Sequence, residues 1–304
     1  NRQPKKMLSI LIPVYNYNIV RLVNDLHQLA METYVDFEIL VIEDGSTSFL
    51  KENSTVADLK FCRYSALTHN IGRSAIRNRL ADEAIYEHLL FIDCDAEVNS
   101  THFIEKYLSF CREEVVVVGG TAYDPENNDP EFSLRLKYGR MREVCSALKR
   151  EQNGRYSHFS SFNFLISKSI FYRIRFDESI RGYGHEDTLF GHRIAELKCD
   201  MHHIDNALIH KGLDNNKLFI KKTEESTRNL FLLYKSNNYP FLANQSKLLR
   251  TYIRLDQKKL TSILARLYNL LKSAMLKNLC GADPSLKVYD LYKLLFLAKI
   301  SHFH

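Results

Sequence analysis

Short apolar runs that stop abruptly on polar residues, with helix-patterned stretches between them, constrain this chain more than any other feature. Leu8–Tyr15 reads as a buried strand, Phe37–Ile42, His88–Ile92 and Val115–Val118 as further strands, and Phe61–Ala66 as a candidate for another. Between them, 18–30, 74–86 and 103–111 place apolar residues at helical spacing, as with Val23, Leu26 and Ala30. Alternation of this kind predicts an α/β fold with a largely parallel sheet. The pattern weakens over 122–155, where Asp124–Pro130 marks an exposed loop. It returns at 162–167, at a helix starting near Glu186, and at a last strand over 207–210.

From Asn216 the signals are helical alone. Leu260, Ile263, Leu264, Leu267, Leu270, Leu271 and Ala274 fall on one expected apolar stripe, with Lys259, Arg266 and Lys277 off it. Gly281–Pro284 interrupts, and 286–300 reads as a final helix. We therefore expect a first domain over 1–215 and a helical extension over 216–304. Charge divides at the same place: 216–304 carries 16 Lys or Arg against 5 Asp or Glu, and 1–215 carries 26 against 31. The basic extension is expected to pack on the first domain or on another copy, or to touch anionic lipid through 258–300. Nucleic acid is not an expected partner, because no recognised binding module accompanies the charge.

No run approaches the roughly 18 uninterrupted apolar residues of a membrane span. The basic start, Asn1–Lys6, leads into a short strand with no small-residue cleavage site, so no signal peptide is expected. The six cysteines are scattered, without the close pairs of a zinc or redox motif. The expected location is cytoplasmic, with the inner face of the membrane as a docking place.

The chemistry lies where the strands end. In open α/β sheets, ligands bind beyond the carboxyl ends of the strands. Three strands here run into Pro13-Val14-Tyr15-Asn16, Glu43-Asp44-Gly45-Ser46 and Asp93-Cys94-Asp95. Two carboxylates one residue apart repel unless a cation joins them. A Mg2+ or Mn2+ ion completed by phosphate oxygens would satisfy Asp93 and Asp95. In Asn70-Ile71-Gly72-Arg73-Ser74-Ala75-Ile76-Arg77-Asn78, Gly72 stands at a helix start, and Arg73 and Arg77 share one face to counter phosphates. Arg181-Gly182-Tyr183-Gly184-His185-Glu186-Asp187 puts adjacent acids at another helix start, a place the helix dipole favours in any case.

Together, I-P-V-Y-N, V-I-E-D-G-S, N-x-G-x-x-x-x-R-N and F-I-D-C-D, in this order and spacing, resemble the family 2 glycosyltransferases over about 7–212. The resemblance implies the GT-A nucleotide-diphospho-sugar transferase fold, a Rossmann-like mixed sheet. It implies that Pro13, Val14, Tyr15 and Asp44 surround a uracil-type base. It puts Asp93 near the ribose or diphosphate, with Asn70, Arg77 and Cys94 on the same donor side, and makes Asp95 a metal ligand. His210, at the end of the last strand, is where relatives of this fold often complete the metal site.

The Gly182–Asp187 block is similar to the G-W/Y-G-x-E-D block of galactosyl- and N-acetylgalactosaminyl-transferases. That likeness implies Asp187 as general base, with Glu186, His185 and Tyr183 on the acceptor. The implied reaction is inverting transfer from a nucleotide diphosphate sugar, uridine diphosphate foremost, to a hydroxyl of a glycan or lipid-linked glycan. The alternatives are a non-catalytic nucleotide-sugar or carbohydrate-binding protein, and a sugar nucleotidyltransferase. The last is expected to carry a Gly-rich phosphate loop where this chain has Pro13-Val14-Tyr15-Asn16.

Overall fold

The structure, a computed structural model, describes residues 7–111, 114–180 and 182–302. The basic start Asn1–Lys6 and Arg181 of the acidic block lie outside them. The chain separates into two compact units: 1–124 with 144–179 and 186–212, and 125–143 with 180–185 and 213–304.

The first unit is built on a seven-stranded sheet. Its strands are β1 (Met7–Val14), β2 (Asp36–Glu43), β3 (Cys62–Ala66), β4 (His88–Ile92), β6 (Val115–Val118), β8 (Asn163–Ser167) and β9 (Asp200–His203). Their order is β3-β2-β1-β4-β8-β6-β9. β1 runs parallel to β2 and β4, and β6 parallel to β9, whereas β8 is antiparallel to both β4 and β6. The sheet is therefore mixed. The reversal has a local cause: β8 is entered at the end where β4 and β6 finish, as shown by Asp93 N–H donating to Phe162 O and Gly119 N–H to Asn163 O, both at 3.0 Å.

Side chains alternate across this sheet as the pleat demands. Ile10, Ile12, Ile39, Val41, Leu90, Ile92, Val117 and Leu165 belong to one apolar layer, under the helices Val20–Met31 and Phe103–Leu108. Leu11, Leu40, Ile42, Leu89, Phe91, Val118 and Phe164 belong to the other, against Arg73–Glu83, Lys168–Ile174 and Glu186–Glu196. Strands buried on both faces read as continuous apolar runs. A three-stranded sheet, β5 (Ala96–Glu97), β10 (Leu208–His210) and β7 (Thr121–Ala122), completes the unit.

The second unit is helical, with Ser133–Tyr138, Asn216–Lys235, Lys247–Gln257, Thr261–Leu279 and Leu286–Ser301 as its main helices. Its core is unusually aromatic, joining Phe219, Tyr268, Tyr289, Tyr292 and Phe296 to Leu134, Met275 and Leu279. The expected stripe on 261–279 divides in two. Leu264 and Leu271 pack beside the buried Tyr268, Met275 and Leu279, while Ile263, Leu267 and Leu270 face outward. No described helix is long and apolar enough to cross a membrane.

Candidate active site

Because β1, β2 and β4 are adjacent and parallel, their carboxyl ends bring the three polar stretches to one edge of the first unit. A hydrogen-bond web fixes the first two. Glu43 is fully buried and accepts from Ser46 Oγ and from Asn53 Nδ2 at 2.8 Å. Ser46 Oγ in turn accepts from Asn16 N–H at 2.9 Å, and Asn16 Oδ1 accepts from Thr47 N–H at 2.7 Å. Asn53 Nδ2 also donates to Tyr17 O, and its Oδ1 accepts from Ile19 N–H. The loop after β1 is thereby tied to the loop after β2.

Asp44 reaches the other way. Its carboxylate accepts from Ile71 N–H at 2.7 Å and Gly72 N–H at 3.1 Å, and its carbonyl accepts from Asn70 Nδ2 at 3.0 Å. The two amides just before helix Arg73–Glu83 are thus directed to Asp44. Gly45 permits this approach: at φ +69°, a Cβ there would stand 2.3 Å from Asn70 N. Pro13 and Val14 close β1, with Val14 buried, and Tyr15 beside them is 55% exposed.

Helix Arg73–Glu83 carries both arginines toward acids. Arg77 is buried, and its Nη2 donates to Asp93 Oδ1 at 2.6 Å. Burial works against the Arg77 charge, but Asp93, Asp187 and Glu186 outweigh it and hold the guanidinium above its ordinary pKa. Arg73 Nη1 donates to Glu186 Oε1 at 3.3 Å. Cys94, half-buried between the two aspartates, has its thiol pushed up by burial and then by Asp95 and Asp93.

Asp95 and His210 meet because the segments that follow and precede them pair: Ala96 stands opposite His210 in the β5–β10 ladder. His210 Nε2 lies 3.0 Å from Asp95 Oδ2, and His210 Nδ1 lies 3.4 Å from Tyr123 Oη. Burial raises the Asp95 carboxyl, but the His210 hydrogen bond and charge, then Arg73, carry it below the ordinary range. Tyr17 is pushed up to about 12 by burial and then by Asp95. Gly212 is a spatial necessity here, since a Cβ would stand 2.5 Å from both Cβ and Oδ2 of Asp95. Two donors each about 2.1 Å from one ion at a right angle stand about 3 Å apart, so Asp95 and His210 fit one divalent ion. No group of three or more such side chains occurs among the described residues, so the remaining ligands of an ion would be phosphate or water.

Helix Glu186–Glu196 supplies the last acids. Asp187 Oδ2 accepts from Ser161 N–H at 3.1 Å, whereas Asp187 Oδ1 and Glu186 Oε2 are buried without a hydrogen-bond partner among the described residues. Burial first, then the Glu186 charge, push Asp187 up to about 6 from its ordinary 3.8, against Arg77 and the Ser161 amide. Glu186, Asp187, Arg73, Arg77 and Asp93 are one electrostatic cluster. Tyr183 and His185 belong to the second unit, held on helix Asn216–Lys235. Tyr183 N–H donates to Glu225 Oε1 at 3.0 Å, and His185 Nε2 lies 3.0 Å from Ser226 O.

A sequence profile described as glycosyl transferase family 2 matches residues 9–175, more than half of the chain. The chain belongs to glycosyl transferase family 2. The family match takes in the strand ends at 13–15, 44 and 93–95; Glu186, Asp187 and His210 lie beyond it. Among curated relatives, an uncharacterised glycosyltransferase of Rickettsia felis is 31% identical over 126 residues, covering 41% of this chain and 20% of the relative. A chondroitin synthase of Escherichia coli is 21% identical over 235 residues, covering 66% of this chain and 34% of the synthase. This family 2 chain therefore spans 20% and 34% of the length of those two relatives.

Solved structures agree on the fold. The mannosyltransferase PcManGT from Pyrobaculum calidifontis, in complex with GDP-Man and Mn2+, superposes with a TM-score of 0.59 at 13% identity, covering 98% of this chain and 86% of that one. Staphylococcus aureus TarS 1–349 gives 0.51 at 18% identity, covering 98% and 91%.

Sequence reasoning passed over several residues that shape this site. Tyr17, Asn53, Ser161 and Gly212 act through contacts 26 or more residues away along the chain. Tyr17 directly follows the I-P-V-Y-N motif and Gly212 stands two residues past His210, whereas Asn53 and Ser161 adjoin no motif.

Proposed function

We propose that this family 2 chain is an inverting glycosyltransferase that moves a sugar from a nucleotide diphosphate, uridine diphosphate foremost, to a hydroxyl of a glycan or lipid-linked glycan. The observation that carries this reading is Asp187 Oδ1, a buried carboxylate oxygen without a partner among the described residues, on a side chain raised to about 6. A carboxylate left unsatisfied at that cost is suited to accept a proton. Asp187 takes the proton of the acceptor hydroxyl as that oxygen attacks the anomeric carbon, and the Ser161 amide holds its other oxygen. Glu186 binds the acceptor; Tyr183 and His185, the other residues expected on it, are fixed on helix Asn216–Lys235.

On the donor side, Pro13, Val14, Tyr15 and Asp44 receive the base, with Asn70 beside them. Arg77 neutralises Asp93, so that Asp93 and Cys94 can lie against the ribose and diphosphate. Asp95 and His210 hold a divalent ion, Mn2+ or Mg2+, which when bound supplies positive charge to the leaving diphosphate. PcManGT, solved with GDP-Man and Mn2+, supports a nucleotide sugar and an ion in this fold. TarS 1–349 in complex with UDP, at a TM-score of 0.50, supports the uridine nucleotide. All six cysteines are free thiols, which suits a reducing, cytoplasmic setting.

The decisive experiment measures nucleotide diphosphate release from a panel of nucleotide sugars with Mn2+ and oligosaccharide acceptors. Acceptor should stimulate release, and Asp187→Asn should lower it by about 100-fold or more while donor affinity is kept. A variant that retains most of its turnover removes Asp187 as the base. Undiminished activity in excess chelator removes the ion.

A further inference from the structure

Helix Thr261–Leu279 has two apolar rows, and only one is used inside the protein. Tyr268, Met275 and Leu279 enter the helical core, with Leu264 and Leu271 beside them. The other row is Ile263, Leu267, Leu270 and Ala274, at intervals of four, three and four. Ile263 is 51% exposed, Leu267 36% and Leu270 76%, and Ala274 is exposed as well. At 100° per residue these four Cβ atoms fall within a sector of about 60°. Arg266 and Lys277 stand along one edge of that sector, and both are exposed.

The charge around this row is mostly basic, with exposed Asp256, bonded to Thr261 at the start of the helix, as an acid beside it. Helix Thr261–Leu279 carries Arg266, Lys272 and Lys277 and no acid, and exposed Lys258 and Lys259 immediately precede it. Among the described residues, Lys258, Lys259, Arg266 and Lys277 form no ion pair. In helix Lys247–Gln257, Lys247, Arg250 and Arg254 are exposed too. A second copy laid on the same row would bring Arg266 and Lys277 against their own counterparts, which Coulomb repulsion opposes. An extended apolar row with a cationic border instead matches the boundary between headgroups and acyl chains of an anionic bilayer.

We propose that the outer row of helix Thr261–Leu279 is a membrane-surface docking face, taking anionic phospholipid with the helix in the plane of the interface. Ile263, Leu267 and Leu270 enter the acyl boundary, and Arg266, Lys277, Lys258 and Lys259 meet lipid phosphates. The helix does not span the bilayer, because its inner row is committed to the core. This proposal is independent of the transfer chemistry, so neither depends on the success of the other.

The test is flotation of the full chain with vesicles of phosphatidylcholine alone and of phosphatidylcholine with an equal share of phosphatidylglycerol. Binding should require phosphatidylglycerol and weaken as salt rises. Leu267→Ser with Leu270→Ser should lower the bound fraction about tenfold or more, and so should Arg266→Glu with Lys277→Glu. These residues are exposed, so an unchanged melting temperature should accompany the loss. No binding to phosphatidylglycerol vesicles overturns the proposal, as does binding that survives both pairs of substitutions. A dimer in sedimentation that Leu270→Ser dissolves, with no flotation, assigns the row to a second copy instead and equally overturns it.

Discussion

Asp187 illustrates how a single side chain couples chemistry to stability. Its folded pKa of about 6 lies above the ordinary 3.8, so the native state binds its proton more tightly than the unfolded chain does. Stability is therefore highest with the proton on, falls as pH rises from about 4 to about 6, and is level above. Keeping the carboxylate ionised at neutral pH costs about 3 kcal/mol. Asp187→Asn removes that cost at every pH. Its melting temperature should exceed that of the native chain at pH 8 and match it near pH 4, while transfer is lost. Equal melting temperatures at pH 8 would show that the carboxylate is not strained. The native transfer rate should rise through pH 6 and then level, because the ionised form is the base. Gly212 works in the opposite direction, as pure space. Gly212→Ala forces a Cβ to within 2.5 Å of Asp95 Oδ2, so the carboxylate that His210 meets must shift or the backbone at 212 must give. The Mn2+ concentration for half-maximal activity should rise about tenfold or more, with the effect on nucleotide affinity in the absence of metal far smaller.

At the scale of elements, legibility followed burial and length. β1, β2, β4 and β6 were readable because both faces are covered, leaving runs of four or more apolar residues. β5 and β7 have two residues each, too few for any periodicity, and β9, Asp-Met-His-His, has no apolar run. Those short strands still matter, since the β5–β10 pairing joins Asp95 to His210. Asp95 and His210 themselves could be found from the sequence; the strand pairing that brings them together could not. Helix Thr261–Leu279 shows the reverse error. The apolar residues of 260–274 predict one stripe, but only Leu264 and Leu271 of it pack with the core residues Tyr268, Met275 and Leu279, while Ile263, Leu267 and Leu270 are exposed. Asp44 is a further case, a residue expected at the base that also anchors a loop. Asp44→Ala removes two part-buried hydrogen bonds to a carboxylate, from the Ile71 and Gly72 amides, each worth about 1.5–3 kcal/mol for a charged acceptor. We expect a lower melting temperature and a large rise in donor KM together. A KM change with unaltered stability would mean that Asp44 serves the ligand alone.

For the whole molecule, the division into two units makes ligand effects separable. Every residue proposed to hold the nucleotide or the ion, from Pro13 to His210, lies in the first unit. The basic helices and the outer row of 261–279 lie in the second. A ligand that binds only the native state stabilises it by RT ln(1 + [L]/Kd), about 2.7 kcal/mol at a hundredfold excess over Kd. A nucleotide sugar with Mn2+ should therefore raise the melting temperature, and the increment added by Mn2+ should vanish in His210→Ala. Hydrogen exchange locates the same free energy in the fold. Amides of β1, β2, β4 and the 70–77 stretch should slow on adding nucleotide and Mn2+, whereas those of 261–279 should slow only with anionic vesicles. Slowing of 261–279 by nucleotide alone would mean that the two units respond as one, and that docking and donor binding share a free energy. The two responses should instead add, because the proposed ligands engage different helices and strands and no residue serves both.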